Sequence, residues 1–301
     1  MRLGAAQAQL TASSVASVPV LLALLSAAVW GSADFGGGLL SRRLPVRSVV
    51  LLSQLAGLAG VLAVSAATGA LASGWGVAAP AWWQLAAAGA GVSGMLGLLA
   101  FYSALAGGTM GIVAPVSATG VLVPVAGGLL VGERPGSVQA AGIVLAVVGV
   151  VLTSGPEVRG AAAGAAPRTV ALALVAALGF GLSLLLLRAA SSHGVLVTLT
   201  LQRVASVGLL LGVVGTTRQP LAVARRDAPP LATVGLLDVG ANAMYALASA
   251  GGMASVVGVM GSLYPVATVL LARQVLGERL RGVQAAGVVA AMGGVALLGA
   301  G

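Results

Sequence analysis

Residues 132–142 read Gly-Glu-Arg-Pro-Gly-Ser-Val-Gln-Ala-Ala-Gly, and residues 277–287 read Gly-Glu-Arg-Leu-Arg-Gly-Val-Gln-Ala-Ala-Gly. Eight of the eleven positions agree without a gap, at an offset of 145. Biased composition accounts for the shared Ala, Gly and Val. It does not account for the shared Glu-Arg and Gln, which are rare in this chain. Each copy sits between two long apolar runs, so the chain reads as a duplication, and the repeat decides the fold.

Composition says which solvent the repeats face. The chain of 301 residues is 59% hydrophobic and 7% charged, with a mean hydropathy of +1.09. A water-soluble domain carries about 25% charged residues, so this chain has too little polar surface for water, and lipid is its main solvent. The absence of cysteine removes disulfides and thiolate metal sites. The single histidine, His193, removes most zinc and general-base arrangements and reads as a solvated loop residue. The net charge of +9 comes from arginines scattered through short loops, which is a topology signal and no footprint for nucleic acid. All 15 basic residues are Arg, as GC-biased bacterial coding produces, which points to a bacterial plasma membrane. No Walker loop, metal-ligand pair or nucleophile–base arrangement is present, so no enzymatic activity, ATP-driven pumping or cofactor is expected.

A spanning helix needs about 20 apolar residues. On that measure residues 1–18 form a short disordered tail, and helix 1 covers 19–40, retained as a span and not cleaved as a signal peptide. Helices 2 to 5 cover 48–69, 81–106, 109–131 and 137–154. A Gly/Ala/Pro-rich linker, 155–168, leads to helices 6 to 10 at 169–190, 195–216, 229–250, 254–276 and 283–300. Trp82 and Trp83 open helix 3 as interfacial anchors. The first repeat is therefore 19–154 and the second 169–301. The second copies the first elsewhere too: Ala106-Gly107-Gly108 against Ala250-Gly251-Gly252, Gln54 against Gln202, and Trp30-Gly31-Ser32 loosely against Phe180-Gly181-Leu182. Five spans is an odd number, so the second copy enters the membrane from the opposite side. The expected fold is an all-α membrane protein of ten transmembrane helices in two inverted five-helix repeats. Such repeats are the mark of secondary transporters, whose halves exchange conformations around a midplane site. The 46 glycines fit close helix packing in lipid. Eleven arginines flank the loops after helices 1, 5, 7 and 9 and three lie on the other side, which places both termini outside by the positive-inside rule.

Trp30-Gly31-Ser32 in helix 1, Gly-Glu-Arg after helices 4 and 9, Pro265 in helix 9 and the start of helix 10 together resemble the EamA family of the drug/metabolite transporter superfamily. The resemblance covers about residues 20–300 and rests on the order and spacing of motifs that are individually weak. It implies ten helices, two inverted repeats and a central cavity lined from both halves. It also implies export or import of small metabolites, often amino acids and sometimes drugs, and both termini on the cytoplasmic side, against the Arg count. An arginine in helices 2 and 7 is part of the family pattern. Arg203 meets it, whereas the first half has Leu55 beside Gln54. The proline usual in helix 4 falls at Gly120, between Pro115 and Pro124.

Three charges lie inside helices: Asp34, Arg203 and Asp238. An intramembrane charge costs about 2.5–3.5 kcal/mol on insertion scales and so faces a cavity or a partner. Asp34 follows Trp30 by four residues, on the same helix face, where a carboxylate under an indole suits an ammonium group or a transported proton. The alternative is a structural ion pair with Arg203. Asp238, Asn242 and Tyr245 form one polar stripe, read either as cavity lining or as helix–helix hydrogen bonding. Gln54, Gln202, Tyr102 and Tyr264 complete the candidate substrate-binding set, with helix–helix hydrogen bonding the alternative for the glutamines and packing the alternative for the tyrosines. Arg203 matches a substrate carboxylate bidentately, so an amino acid would use both Asp34 and Arg203. Glu133 and Glu278 read as structural, each favouring the N-terminal dipole of the helix that follows it.

The function this implies is a multi-pass permease moving small polar metabolites, amino acids or related amines, by alternating access, with protons as a possible coupling ion. Its partners are the lipid bilayer and the substrate, and the assembly is a monomer or homodimer. Two alternatives stand beside it: a multidrug or cation/proton antiporter, and a non-transporting membrane scaffold. The scaffold would pair off Asp34, Arg203 and Asp238 in a closed bundle without a cavity.

Overall fold

The structure is a computed structural model and describes residues 2–70, 82–107, 113, 116–117, 119–154, 167–217, 223–276 and 282–300. Its described residues are helical or in short turns, with no strand among them. The helices are α1 (Arg2–Ser41), α2 (Val46–Ala67), α3 (Trp82–Gly107), α4 (Leu122–Leu130, entered through a 3-10 turn at Thr119–Val121), α5 (Ser137–Ser154), α6 (Pro167–Ser191), α7 (Val195–Thr217), α8 (Ala228–Gly251, entered through a 3-10 turn at Arg225–Asp227), α9 (Ala254–Gly261), α10 (Tyr264–Leu276) and α11 (Gly282–Ala300). Most bounds fall within two residues of those read from hydropathy. The linker residues 155–166, much of helix 4 and the second Gly-Glu-Arg lie outside the described residues.

Two expectations are corrected, the disordered N-terminal tail and the unbroken helix 9. Helix α1 begins at Arg2, so residues 2–18 are helical where a disordered tail was expected; the apolar span within it is Val18–Ser41. Ten spans are expected from the sequence; among the described residues, seven stretches are long and apolar enough to cross a membrane. The stretches Thr119–Leu130, Ser137–Leu152 and Gly282–Leu298, from helices 4, 5 and 10, are apolar but shorter. Expected helix 9 is two helices. Proline has no N–H to bond the carbonyl four residues back, and its ring collides with that carbonyl. Pro265 therefore ends α9 at Gly261, Ser262 and Leu263 form the break, and α10 restarts at Tyr264. Position 265 corresponds to Gly120 in the first repeat, where the 3-10 turn precedes α4.

Burial follows the rule for a lipid solvent. Leu21, Leu25, Leu85, Val144, Leu178 and Val289 are exposed, while Gln54, Gln202, Arg203, Asn242 and serines such as Ser53 and Ser206 are buried. The bundle is apolar outside and carries its polar side chains within, where partners can satisfy them.

The two repeats pack on each other by exchange. α1 packs on α8 as α6 packs on α3; α2 touches α8 as α7 touches α3. α2 meets its counterpart α7, α4 meets α9, and α5 meets α11. The α5–α11 crossing shows the reciprocity atom by atom. A Cβ on Gly149 would strike the backbone of Ala291, and one on Gly294 would fall 2.5 Å from the backbone nitrogen of Ala146. These are matched pairs at the 145 offset. Gly91 of α3 lies against the Gln202 carbonyl of α7, and Gly235 of α8 against the Ser53 carbonyl of α2; a Cβ at either would overlap that carbonyl. Only glycine lets the backbones approach so closely, and this approach brings α2, α3, α7 and α8 around one centre.

Candidate functional site

The repeated motif can be read first from its described copy. Gly132, with φ +92°, ends the turn after α4, and the Glu133 amide donates back to the Gly128 carbonyl (3.0 Å). That reversal is a glycine-dependent helix C-terminus. Gln139 reaches back so that its Oε1 accepts from the Gly136 amide (3.1 Å), a half capping box at the start of α5. Glu133 does something the sequence did not show. Its carboxylate caps α9, in the other half, and not α5. It accepts from the amides of Ala254 and Ser255 (the latter 2.9 Å) and from the Ser255 hydroxyl (2.8 Å). Arg188, near the end of α6, donates to Glu133 (3.3 Å) and to the carbonyls of Ser249 (3.4 Å) and Gly252 (2.7 Å) at the end of α8. Burial alone would raise the Glu133 carboxyl. The Ser255 and Ala254 amides, the Ser255 hydroxyl and Arg188 outweigh it and hold the group below its ordinary value. The cluster clamps the two halves together at one end of the bundle.

Deeper in the bundle lies a cavity of about 650 Å³, its open mouth included, lined by α1, α2, α3, α6, α7, α8 and α10. It takes Trp30 and Asp34 from α1, Gln54 from α2, Gln202 and Arg203 from α7, Asp238 and Asn242 from α8, and Tyr264 from α10. Eight of the ten candidate residues thus meet in one place. Tyr102 does not line it; its hydroxyl fills the space left by the absent side chain of Gly37, and its ring packs 5.9 Å from that of Phe101. Tyr245 stands behind the wall, its ring 5.6 Å from that of Trp30.

Hydrogen bonds divide the cavity charges unequally. Arg203 Nη1 lies 2.7 Å from Asp238 Oδ2 and also donates to Gln54 Oε1. Trp30 Nε1 donates to Asp238 Oδ1 (3.2 Å), as does Asn242 Nδ2 (3.3 Å), and Gln54 Nε2 donates to Asp238 Oδ2 (3.4 Å). Gln202 Nε2 donates to Asn242 Oδ1 (3.2 Å), and the Ser206 hydroxyl to Gln54 Oε1 (3.1 Å). One network from both halves thus surrounds Asp238. Among the described residues Asp34 has no ion pair and no hydrogen-bond partner for its carboxylate, so the Asp34–Arg203 pair considered from the sequence is replaced by Asp238–Arg203. Buried Gln202 Oε1 and Arg203 Nε also lack partners among the described residues.

Two lining residues were not among the expected site residues: Ser206, and Phe180, which the sequence matched only loosely to Trp30. Ser206 lies one turn beyond Arg203, and Phe180 holds the place in the second repeat that Trp30 holds in the first; position within the repeat was the available signal. His193 is exposed, yet its ring stacks on Trp83 and meets Trp82 edge-on, both at 5.3 Å. No group of three or more His, Cys, Asp or Glu suited to a metal ion occurs among the described residues.

Comparison with known proteins agrees with this architecture. No curated protein matches the chain significantly. A solved crystal structure, described only as that of a protein, superposes with a TM-score of 0.70 at 19% identity, over 93% of this chain and 96% of its own; that likeness shows a shared fold. The model of the EamA-like transporter family matches twice, at residues 17–155 and 167–300. With both repeats matched in order across nearly the whole chain, the protein belongs to the EamA-like transporter family, within the drug/metabolite transporter superfamily.

Proposed function

We propose that the protein is a secondary transporter of ten spans in two inverted five-helix halves, which carries small metabolites bearing an amino group, amino acids or related amines, by alternating access. Among the described residues, seven long and three shorter apolar stretches are consistent with ten spans, and the reciprocal packing of the repeats supports a two-fold relation between halves. The observation that carries the reading is Asp34. It is a carboxylate without a counter-charge, one turn from the Trp30 indole, at the edge of a cavity whose other acid is already matched by Arg203. An ammonium group placed there gains ion pairing and cation–π attraction together. A proton discharges the same carboxylate, so a proton and a cation compete for it, which is the condition for coupling through Asp34. The cavity itself counts against a closed, non-transporting scaffold.

The aromatic wall of Trp30, Phe180 and Tyr264 favours a second reading, exchange of lipophilic cations for protons. Transport into proteoliposomes tests both. Protein is supplied with pooled amino acids and amines, with and without a pH gradient, and the lumen is read by mass spectrometry. Accumulation that follows the gradient and is lost in Asp34→Asn is the expected result. Unchanged transport by Asp34→Asn would overturn the role given to this carboxylate. Gradient-driven movement of lipophilic cations alone would replace the first reading with the second.

A further inference from the structure

We infer that Arg203 sets the charge of the transported molecule, and that the cavity selects a monovalent amine over both a zwitterion and a diamine. The inference rests on the cavity being the substrate site, and it narrows the amino acids and amines proposed above to the amines. Among the described residues three lining side chains carry formal charge: Asp34, Asp238 and Arg203. The Arg203 guanidinium is committed to Asp238 and Gln54 through Nη1, and Asp238 also accepts from Trp30, Gln54 and Asn242. The pair is a neutral, hydrogen-bonded unit, which leaves the cavity one negative charge at Asp34.

A zwitterionic amino acid fits this arrangement poorly. Its ammonium would meet Asp34, but its carboxylate would either share Arg203 with Asp238 through the unpartnered Nε or draw Arg203 away; in both cases one negative charge stays uncompensated in a low-dielectric interior. A diamine brings one charge too many, since Asp238 is already matched. An amine with one positive charge and no carboxylate neutralises Asp34 and disturbs nothing. Among the described residues two buried atoms of this lining lack partners, the acceptor Gln202 Oε1 and the donor Arg203 Nε. The first suits a second donor on the amine; an anionic oxygen at the second would cancel none of the charge on Asp34.

A matched four-carbon series isolates charge from size: 1-aminobutane (one positive charge), 1,4-diaminobutane (two) and 4-aminobutanoate (zwitterion). Binding to purified protein is measured by titration calorimetry near neutral pH, which avoids leakage of free amines through membranes. The wild-type protein is expected to prefer 1-aminobutane at least tenfold over both others. Arg203→Gln adds one uncompensated negative charge and is expected to shift preference to 1,4-diaminobutane. Asp238→Asn removes one and is expected to shift it towards 4-aminobutanoate. The double variant Arg203→Gln/Asp238→Asn replaces the ion pair with a neutral amide pair and is expected to restore preference for 1-aminobutane. A merely structural role for Arg203 would weaken all three ligands together. Restoration in the double variant also keeps the test valid where a single variant, with its charge unmatched, fails to fold.

Wild-type affinity for 4-aminobutanoate equal to that for 1-aminobutane would overturn the inference, as would a double variant without monocation preference. Asp34→Asn separates the two levels. If it leaves 1-aminobutane binding intact, the cavity reading itself falls. If it abolishes binding while the charge series shows no inversion, only the role of Arg203 falls. Binding of none of the three by folded wild-type protein overturns both.

Discussion

Replacing Glu133 with glutamine should loosen the clamp between the halves without altering its shape. The carboxylate accepts two backbone amides, one hydroxyl and one guanidinium N–H, with side-chain exposures of 12% for Glu133 and 26% for Arg188. In the glutamine variant one oxygen becomes an NH2 group that faces donors, either Ser255 N–H and Oγ or Ala254 N–H and Arg188. Charge-assisted hydrogen bonds are worth about 1.5–3 kcal/mol and neutral ones about 1. Losing two and weakening two sums to about 4–10 kcal/mol on these figures. The Ser255 hydroxyl can turn to accept from the new NH2 group, and water can reach donors at this partly exposed end of the bundle, so about 2–4 kcal/mol is expected. The interaction of the carboxylate with the α9 dipole is part of that sum and is not added to it. At about 2 °C per kcal/mol for a chain of this size, the unfolding midpoint should fall by about 4–8 °C. The assay is tryptophan fluorescence of purified protein in detergent, heated at one fixed scan rate because such unfolding is often irreversible. Arg134→Gln, next to Glu133 but exposed, is the control and should leave the midpoint in place. A cycle with Arg188→Met separates the pair from the cap: substantial coupling is expected, because the two side chains share one bond. A Glu133→Gln midpoint equal to that of wild type, with Arg134→Gln also unchanged, would refute the claim that this carboxylate holds α9.

Acid should undo the same clamp. The Glu133 carboxyl lies below its ordinary value in the folded protein, so its stabilisation is fully present above the unfolded-state pKa of about 4.3 and is lost as pH falls through the depressed folded value; the midpoint-versus-pH curve of Glu133→Gln should lack that acidic component. Gly149→Leu should cost about 3 kcal/mol or more, because the new side chain meets the Ala291 backbone and not a movable side chain; thermal unfolding checks it, with Gly240→Leu, which has open space around it, as the tolerated comparison. Gly208→Ala and Gly212→Ala in α7 meet nothing within 4 Å and should each raise stability by about 0.5–1 kcal/mol through lower helix cost, read in the same melt. Pro265→Ala should let α9 and α10 join, since the missing N–H is restored; slower hydrogen exchange at residues 262–266 would show it, and unchanged exchange would mean that packing against Gly31 makes the break.

Much of this protein is legible in local sequence. Residues 132–142 and 277–287 establish the duplication, and apolar run length places most helices to within a residue or two, because a helix in lipid must satisfy its own backbone within one continuous segment. Helix spacing alone also put Trp30 with Asp34, and Asp238 with Asn242, on common faces. Helix continuity was less legible: hydropathy does not see the break Pro265 makes through its missing N–H.

Partner choice was decided only by the tertiary structure. Asp34 and Asp238 are alike in sequence, both single acids in apolar helices, and nothing local tells which of them Arg203 matches. That is settled where Gly235 admits the Ser53 carbonyl and Gly91 admits the Gln202 carbonyl, which fix how closely and at what rotation α2, α3, α7 and α8 meet. The same holds for Glu133, which bypasses the helix beside it in sequence to cap α9, and for Tyr102 and Tyr245, which turn away from the cavity into packing. Sequence determined which groups are available in the membrane, since that depends on each segment alone; the fold decided which of them neutralise one another, since ion pairing depends on distances between segments that are remote along the chain.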